Sequence, residues 1–411
     1  MFDRLIKVTS VVLAAVMLLT VPSLVGCGER DGVMPPVIVI GCLGDLTGPG
    51  AFVGKMIHSG QNDYINMAKD KGLVPGVWLN LSAYDSKGDE SRVQSGYKWL
   101  KERGADIICT MSGDEAAILE SKAAADEIPI FSSQSSMAMS GSEWVYGNQP
   151  PPGAEGQMVA HWIEETWNAQ GPAKIGLVGH DTLLASQEVR DAIEAWCETS
   201  SKLDFLTAQM VPYGTATWDA EIAHLMDCDF IVDTTIGFSL ATFERAIRLA
   251  GYEGQLIGIM ESFLANWNLV IDVVSSVELD GAVATSPYPS WTDPATFIKE
   301  IKLWNSHYLI PEEITEVLGS CGRICGWANG MIVVEAIRQA VNKVGAENVD
   351  GKAVADGLRA VDLNMEGFGN TLQLEGDLPC FVKTLRMMKW DSQREGWVGL
   401  TDWYRPPMLQ P

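Results

Sequence analysis

The chain has 411 residues, 47% of them hydrophobic and 20% charged, with Lys+Arg 29 against Asp+Glu 53 and a formal net charge of −24. That balance argues against nucleic acid or an anionic lipid surface as partner, and the length exceeds one hydrophobic core and predicts two domains. Beyond the amino-terminal segment no run is apolar enough for a bilayer span, which needs about 20 residues, so a water-soluble body is expected.

Arg4 and Lys7 form a short basic segment, Val8 to Thr20 an uncharged run, and Leu24-Val25-Gly26-Cys27 the small-residue exit of an export signal. The tetrapeptide looks like a bacterial lipobox, in which the Cys thiol receives a diacylglyceryl group and the peptide is cut before it. Each buried methylene contributes roughly 0.8 kcal/mol, so two or more acyl chains hold a protein on a bilayer. Residues 1–26 are thus read as a lipoprotein signal peptide, with the mature chain tethered outside the cytoplasm through Cys27. The alternatives are an uncleaved anchor, or a cleaved signal in which Cys27 is incidental. Cys42, Cys109, Cys197, Cys228, Cys321, Cys325 and Cys380 remain; most sit in apolar stretches and read as buried and free. Cys321 and Cys325 form the one close pair, without a second pair at zinc-site spacing, so neither a metal nor a cofactor is expected.

From Val37 short apolar runs alternate with helical patterns. Val37 to Leu43, Trp78 to Tyr84, Asp106 to Met111 and Ile128 to Ser132 read as strands buried on both faces of a parallel sheet. Between them Val93, Tyr97 and Leu100 make one apolar helical stripe, with Asp89 or Ser91 as its cap and Gly104 at its end. This βαβα alternation predicts a doubly wound α/β sheet. The pattern pauses at Gly147-Asn148-Gln149-Pro150-Pro151-Pro152-Gly153, the best domain boundary in the chain.

A second series follows, with strands over Lys174 to Val178, Phe205 to Val211, Phe230 to Thr234 and Leu256 to Met260. Helices are expected near Glu155 to Trp167, Ser186 to Ser200, Ala220 to Met226 and Ser239 to Ala250. Ser286-Pro287-Tyr288-Pro289-Ser290-Trp291 makes another break before a long helical region, Pro294 to Val344, and β-type material follows around Thr371 to Leu374 and Thr384 to Trp390. The expectation is two doubly wound lobes, 37–148 plus 289–370 and 149–288 plus 371–405. The hinge would be crossed three times, near Asn148 to Pro152, Ser286 to Ser290 and Gly367 to Thr371. Open α/β sheets bind ligands beyond the carboxyl ends of their strands, so two facing lobes would share one cleft.

Val39-Ile40-Gly41, followed by Leu46-Thr47-Gly48-Pro49-Gly50-Ala51 and Gly54, resembles the opening of the type I periplasmic binding proteins, specifically the leucine/isoleucine/valine-binding group that serves ABC importers. The similarity continues through Asp85 with Asp89, the Ala105 to Ile108 strand, Ser112 to Glu120, Ile128 to Ser132 and the Phe243 to Gly251 helix, and covers most of the mature chain. The resemblance implies a monomer of two lobes closing over an amino acid or related small molecule, ABC permease subunits as partners, and no catalysis.

Ser112 follows a strand and precedes a helix, where its hydroxyl and the first amides suit a carboxylate; Ser112-x-x-Glu115 also reads as a capping box that needs no ligand. Gln134, Ser135 and Ser136 align with the family segment that grips the ligand's ammonium and carboxylate. Glu261 matches, within one residue, the family acid that pairs with an α-ammonium, and is otherwise a helix-end Glu. Phe238 lies near a family tyrosine that closes over the ligand side chain, or is a core aromatic. Where many relatives carry Tyr-Gly this chain has Leu183-Leu184-Ala185-Ser186, so that aromatic contact is absent. Trp144 and Trp291 flank hinge crossings and are candidates for an aromatic wall, although most tryptophans are core or interface residues.

Two other readings have little support. Gly48 to Gly54 matches a dinucleotide loop only loosely, because Gly44-Asp45-Leu46-Thr47 separate the strand from the first Gly. The five histidines form no short triad or metal pattern, which weighs against an exported α/β hydrolase, and His180 is expected to be a solvated loop residue. A detached ligand sensor of the same fold is the remaining alternative.

Overall fold

The computed structural model describes residues 34–48, 50–308 and 320–410. The expected signal segment, Cys27 and Pro49 lie outside the described residues.

The first sheet contains β1 (Val37–Gly44), β2 (Trp78–Asp85), β3 (Ala105–Thr110), β4 (Ile130–Gln134) and β5 (Val145–Gln149), in the order β2-β1-β3-β4-β5. All its pairings are parallel. Its helices are α1 (Ala51–Asp70), α2 (Glu90–Lys101) and α3 (Gly113–Asp126), each a crossover between parallel strands. Asp89, not Ser91, caps α2: its carboxylate accepts the Ser91 N–H at 2.9 Å.

α4 (Pro152–Thr166) leads into the second sheet, formed by β6 (Ala173–His180), β7 (Leu203–Val211), β8 (Phe230–Asp233), β9 (Gln255–Gly258), β10 (Val283–Ser286), β11 (Arg386–Asp391) and β12 (Gly396–Gly399). Its order is β12-β11-β10-β9-β8-β6-β7, parallel from β7 to β10 and antiparallel at β11 and β12. α5 (Leu184–Thr199), α6 (Asp219–Leu225), α7 (Gly237–Leu249) and α8 (Ala265–Ile271) flank it. α9 (Thr296–Tyr308), α10 (Cys321–Val344) and α11 (Gly351–Arg359) then follow β10. The expected α/β class and its two mostly parallel sheets are what the chain forms.

The first sheet packs against a helix crossing. α10 lies against α1 so closely that a Cβ on Gly326 would meet the Ile57 carbonyl oxygen at 2.0 Å, and one on Gly60 the Arg323 oxygen at 2.3 Å. Such separations fall inside van der Waals contact, so only glycine permits this packing. Beside the crossing the buried Arg323 guanidinium pairs with Asp63 and donates to Ser59 Oγ at 2.8 Å and Asn305 Oδ1 at 2.5 Å.

Several segments differ from the sequence reading. β5 overlaps the expected domain boundary, because its Gly147, Asn148 and the following prolines mimic turn punctuation although the strand is wholly buried, and β10, also wholly buried, was not anticipated and ends where the second break begins, at Ser286. Thr371 to Leu374 forms no strand, only a bridge between Leu372 and Leu363. α11 and β12 were not anticipated. The third passage between the sheets also falls later than Gly367 to Thr371. The Phe381 and Val382 N–H groups donate to the Gly147 and Asn148 carbonyls at 3.0 and 2.8 Å, so residues 380–382 extend the edge beside β5. Only then does the chain reach β11.

Candidate functional site

In the first sheet the strand order reverses between β1 and β3, and in the second between β6 and β8. Open α/β sheets place ligands at these switch points, beyond the strands' carboxyl ends. A cavity of about 490 Å³ occupies that position, within the range of small-molecule pockets. From the first sheet it is lined by Asp45 after β1, Met111 and Ser112 after β3, Gln134 at the end of β4 and Gln149 at the end of β5. From the second come Tyr213 after β7, Ile236 to Phe238 after β8, and Met260 and Glu261 after β9. The first turn of α1 adds Phe52 and Val53. Gly54 lets that turn approach: a Cβ there would meet the Asp45 carbonyl oxygen at 1.9 Å.

Four of the six ligand residues read from the sequence line this cavity: Ser112, Gln134, Phe238 and Glu261. Gln134 and Glu261 meet across it, with Gln134 Nε2 donating to Glu261 Oε2 at 3.3 Å. Glu261 sits in a wide π-type turn, Met260–Leu264. Asn266 Nδ2 holds the turn by donating to the Glu261 carbonyl at 2.7 Å, and Ser262 Oγ holds it by donating to the Asp233 carbonyl at 2.7 Å. Burial raises the Glu261 carboxyl above its ordinary range, a shift the Gln134 hydrogen bond partly offsets. Such a group ionises readily only when a cation meets it.

Ser112 is the N-cap of α3, and its Oγ accepts the Glu115 N–H at 3.2 Å. A hydroxyl that accepts keeps its own proton to donate, so capping does not prevent a ligand contact. Phe238 is 65% exposed at the start of α7, so it stands at the cavity's rim and is not a core aromatic. Ser135 and Ser136 do not reach the cavity. Ser135 is buried against Gly147, and Ser136 Oγ accepts the Ala138 N–H at 3.2 Å to cap the short turn Met137–Met139.

His180 is also placed differently from the expectation. It is fully buried at the end of β6, its Nε2 accepts the Ile236 N–H at 3.4 Å, and its ring centroid lies 5.0 Å from that of Tyr213. It therefore supports two lining residues from behind. Burial lowers its pKa, which suits the neutral acceptor form. Tyr213 brings an aromatic to the side of the cleft where the Leu183 to Ser186 loop offers none. Neither Phe52 nor Tyr213 carries a sequence signal, because Phe52 opens α1 beside the Gly48 to Gly54 run and Tyr213 sits in a short turn without periodicity.

Trp144 packs beside the core that α2 and α3 form with β3, β4 and β5. Trp291 lines a second cavity of about 1150 Å³ with Trp267, Trp390 and Trp397, next to the first and sharing Phe52 and Ala265 with it. The seven cysteines of the described residues are free, and six are buried. Among the described residues no group of His, Cys, Asp and Glu could hold a metal ion, and no helix is long and apolar enough to cross a membrane.

Two α/β lobes whose strand ends enclose one cavity define a cleft-binding protein of the type I periplasmic architecture. The chain belongs to the periplasmic binding protein family, whose model matches residues 37–395. That family comprises extracytoplasmic solute-binding proteins that serve ABC transporters and are not enzymes. Among solved structures the fold is shared with a branched-chain amino acid ABC transporter protein from Thermus thermophilus with bound valine, at TM-score 0.77 and 15% identity, over 91% of this chain and 97% of that one. A fatty acid ABC transporter substrate-binding protein from Thermomonospora curvata gives 0.78 and 17%, over 92% and 95%. A solute-binding protein from R. palustris in complex with benzoate gives 0.71 and 15%, over 90% and 97%. No curated protein matches the chain by sequence.

Proposed function

We propose that this chain is a lipid-anchored receptor of an ABC importer whose cleft takes an amino acid or a related small molecule with a protonated amine. The observation that carries this reading is the meeting of Gln134 and Glu261 across a cavity built from the strand ends of both sheets. A ligand touching both sides favours the closed arrangement by that differential contact. The relatives' valine, fatty acid and benzoate mark the size of solute such a cleft holds. The acid at Glu261 weighs against a copy of the fatty acid or benzoate site, and the missing Leu183 to Ser186 aromatic against a copy of the usual amino-acid site.

A thermal-shift screen of amino acids, amides, amines and aromatic acids identifies binders, since a ligand specific to the native state stabilises it by RT ln(1 + [L]/Kd). Small-angle scattering with a binder at saturation is then expected to show a smaller radius of gyration. An unchanged profile contradicts the clamshell reading.

The anchor is tested separately. The export segment and the Leu24 to Cys27 lipobox predict that Cys27→Ser moves the protein from the membrane to the soluble fraction. Equal membrane retention of both forms, with no lipid on the amino-terminal peptide by mass spectrometry, contradicts it.

A further inference from the structure

We propose that the cleft selects an apolar organic amine without a carboxylate, and disfavours the zwitterionic amino acid of the same side chain. The proposal rests on the cleft being the ligand site and goes further, to the charge of the ligand. The charged side chains that line the cavity are Asp45, Glu115 and Glu261; no Lys, Arg or His is among its lining residues. Asp45 is committed to its own loop, accepting the Gly48 and Gly50 N–H groups at 2.6 and 2.7 Å. Glu261 takes one contact, from Gln134, and faces the cleft from the second sheet.

The decisive group is Glu115. In an amino-acid site the start of α3, with Ser112, would receive the ligand's carboxylate. Here the Glu115 carboxylate folds back on that place: its Oε2 accepts the Met111 N–H at 3.3 Å, while its own N–H goes to Ser112 Oγ. The chain's own carboxyl group thus already occupies the helix start; burial pushes the Glu115 pKa up to about 7, so at about pH 8, where the binding tests are read, it is an anion. Asp114, in the same first turn, adds a second. A ligand carboxylate arriving there would meet like charge, which costs affinity. Phe52, Ile236, Met260 and Leu269 give much of the remaining lining a hydrocarbon surface, beside the neutral polar Ser133, Gln149 and Asn266, and the aromatic rings of Tyr213 and Phe238, a side-chain type that attracts cations, border it. An ammonium on a hydrocarbon body satisfies this set.

Matched trios test it by calorimetry on the mature chain: L-leucine, 3-methylbutylamine and 4-methylpentanoate, then L-phenylalanine, phenethylamine and 3-phenylpropionate. Each amine is expected to bind at least about tenfold more tightly than its amino acid, with the acids weakest. An amino acid that binds as tightly as its amine, or more so, overturns the proposal and leaves the cleft reading intact. If no member of either trio binds, the proposal also fails, and the cleft reading is judged by the scattering experiment. Glu115→Gln, checked for an unchanged melting profile, should narrow the amine preference by about tenfold, because the anion seat is then vacated. An undiminished preference in that variant overturns the part assigned to Glu115.

Discussion

Glu261→Gln is expected to lower affinity for a cationic ligand by about thirtyfold to several-thousandfold, the equivalent of about 2 to 5 kcal/mol for removing one partner of a buried charge pair. The magnitude follows from where the carboxylate sits. Its turn is fixed by Asn266 and Ser262, so the group cannot swing to solvent to relieve the loss. An ammonium in the cleft then has no full counter-charge, since Asp45 is bound to its own loop and Glu115 to the backbone of Met111. Folding should change little, because Gln keeps the shape and still pairs with Gln134. Calorimetry of both proteins with a ligand and its analogue lacking the amino group completes a double-mutant cycle. The analogue should lose its disadvantage in the variant. Wild-type affinity in Glu261→Gln would assign Glu261 to the turn alone.

Arg323→Met should reduce unfolding free energy by about 3 to 5 kcal/mol, the usual penalty for stripping one member from a buried ion pair. Arg323 is 1% exposed and ties α1 to α9 and α10 through Asp63, Ser59 and Asn305. Methionine fills much of the volume but leaves those three polar groups without the guanidinium. Adding Asp63→Asn should recover part of the loss, because the remaining charge is removed. Urea unfolding of the three proteins measures it. A loss under about 1 kcal/mol, the range of exposed pairs, would show that water replaces the guanidinium.

The parts of this molecule that were legible in sequence are those dictated by one local rule. Buried parallel strands announce themselves as short Val- and Ile-rich runs, so β1, β3, β6 and β8 fell within a few residues of expectation. Strand ends then pointed to Ser112, Gln134 and Glu261, because ligands gather there in open α/β sheets. What failed were positions set by tertiary contact. β5 is a strand because β4 on one side and residues 380–382 on the other pair with it, although Gly147 and Asn148 read as a turn. Ser135 and Ser136 looked equivalent to Gln134, yet one packs on Gly147 and the other caps a turn. His180 looked like a loop residue and is buried behind Ile236 and Tyr213. The self-supplied anion of Glu115 was hidden inside a capping pattern, whose side chain could be assigned a cleft position only once α3 was placed.

Hydrogen exchange with and without the tightest-binding member of an amino-acid and amine panel tests the central claim most directly. Slowed exchange is predicted in both 111–115, after β3, and 260–266, after β9, because one ligand would order strand-end segments of both sheets. Protection confined to one sheet, or centred on the Trp267, Trp390 and Trp397 chamber, would contradict a cleft closing on its ligand through Gln134 and Glu261.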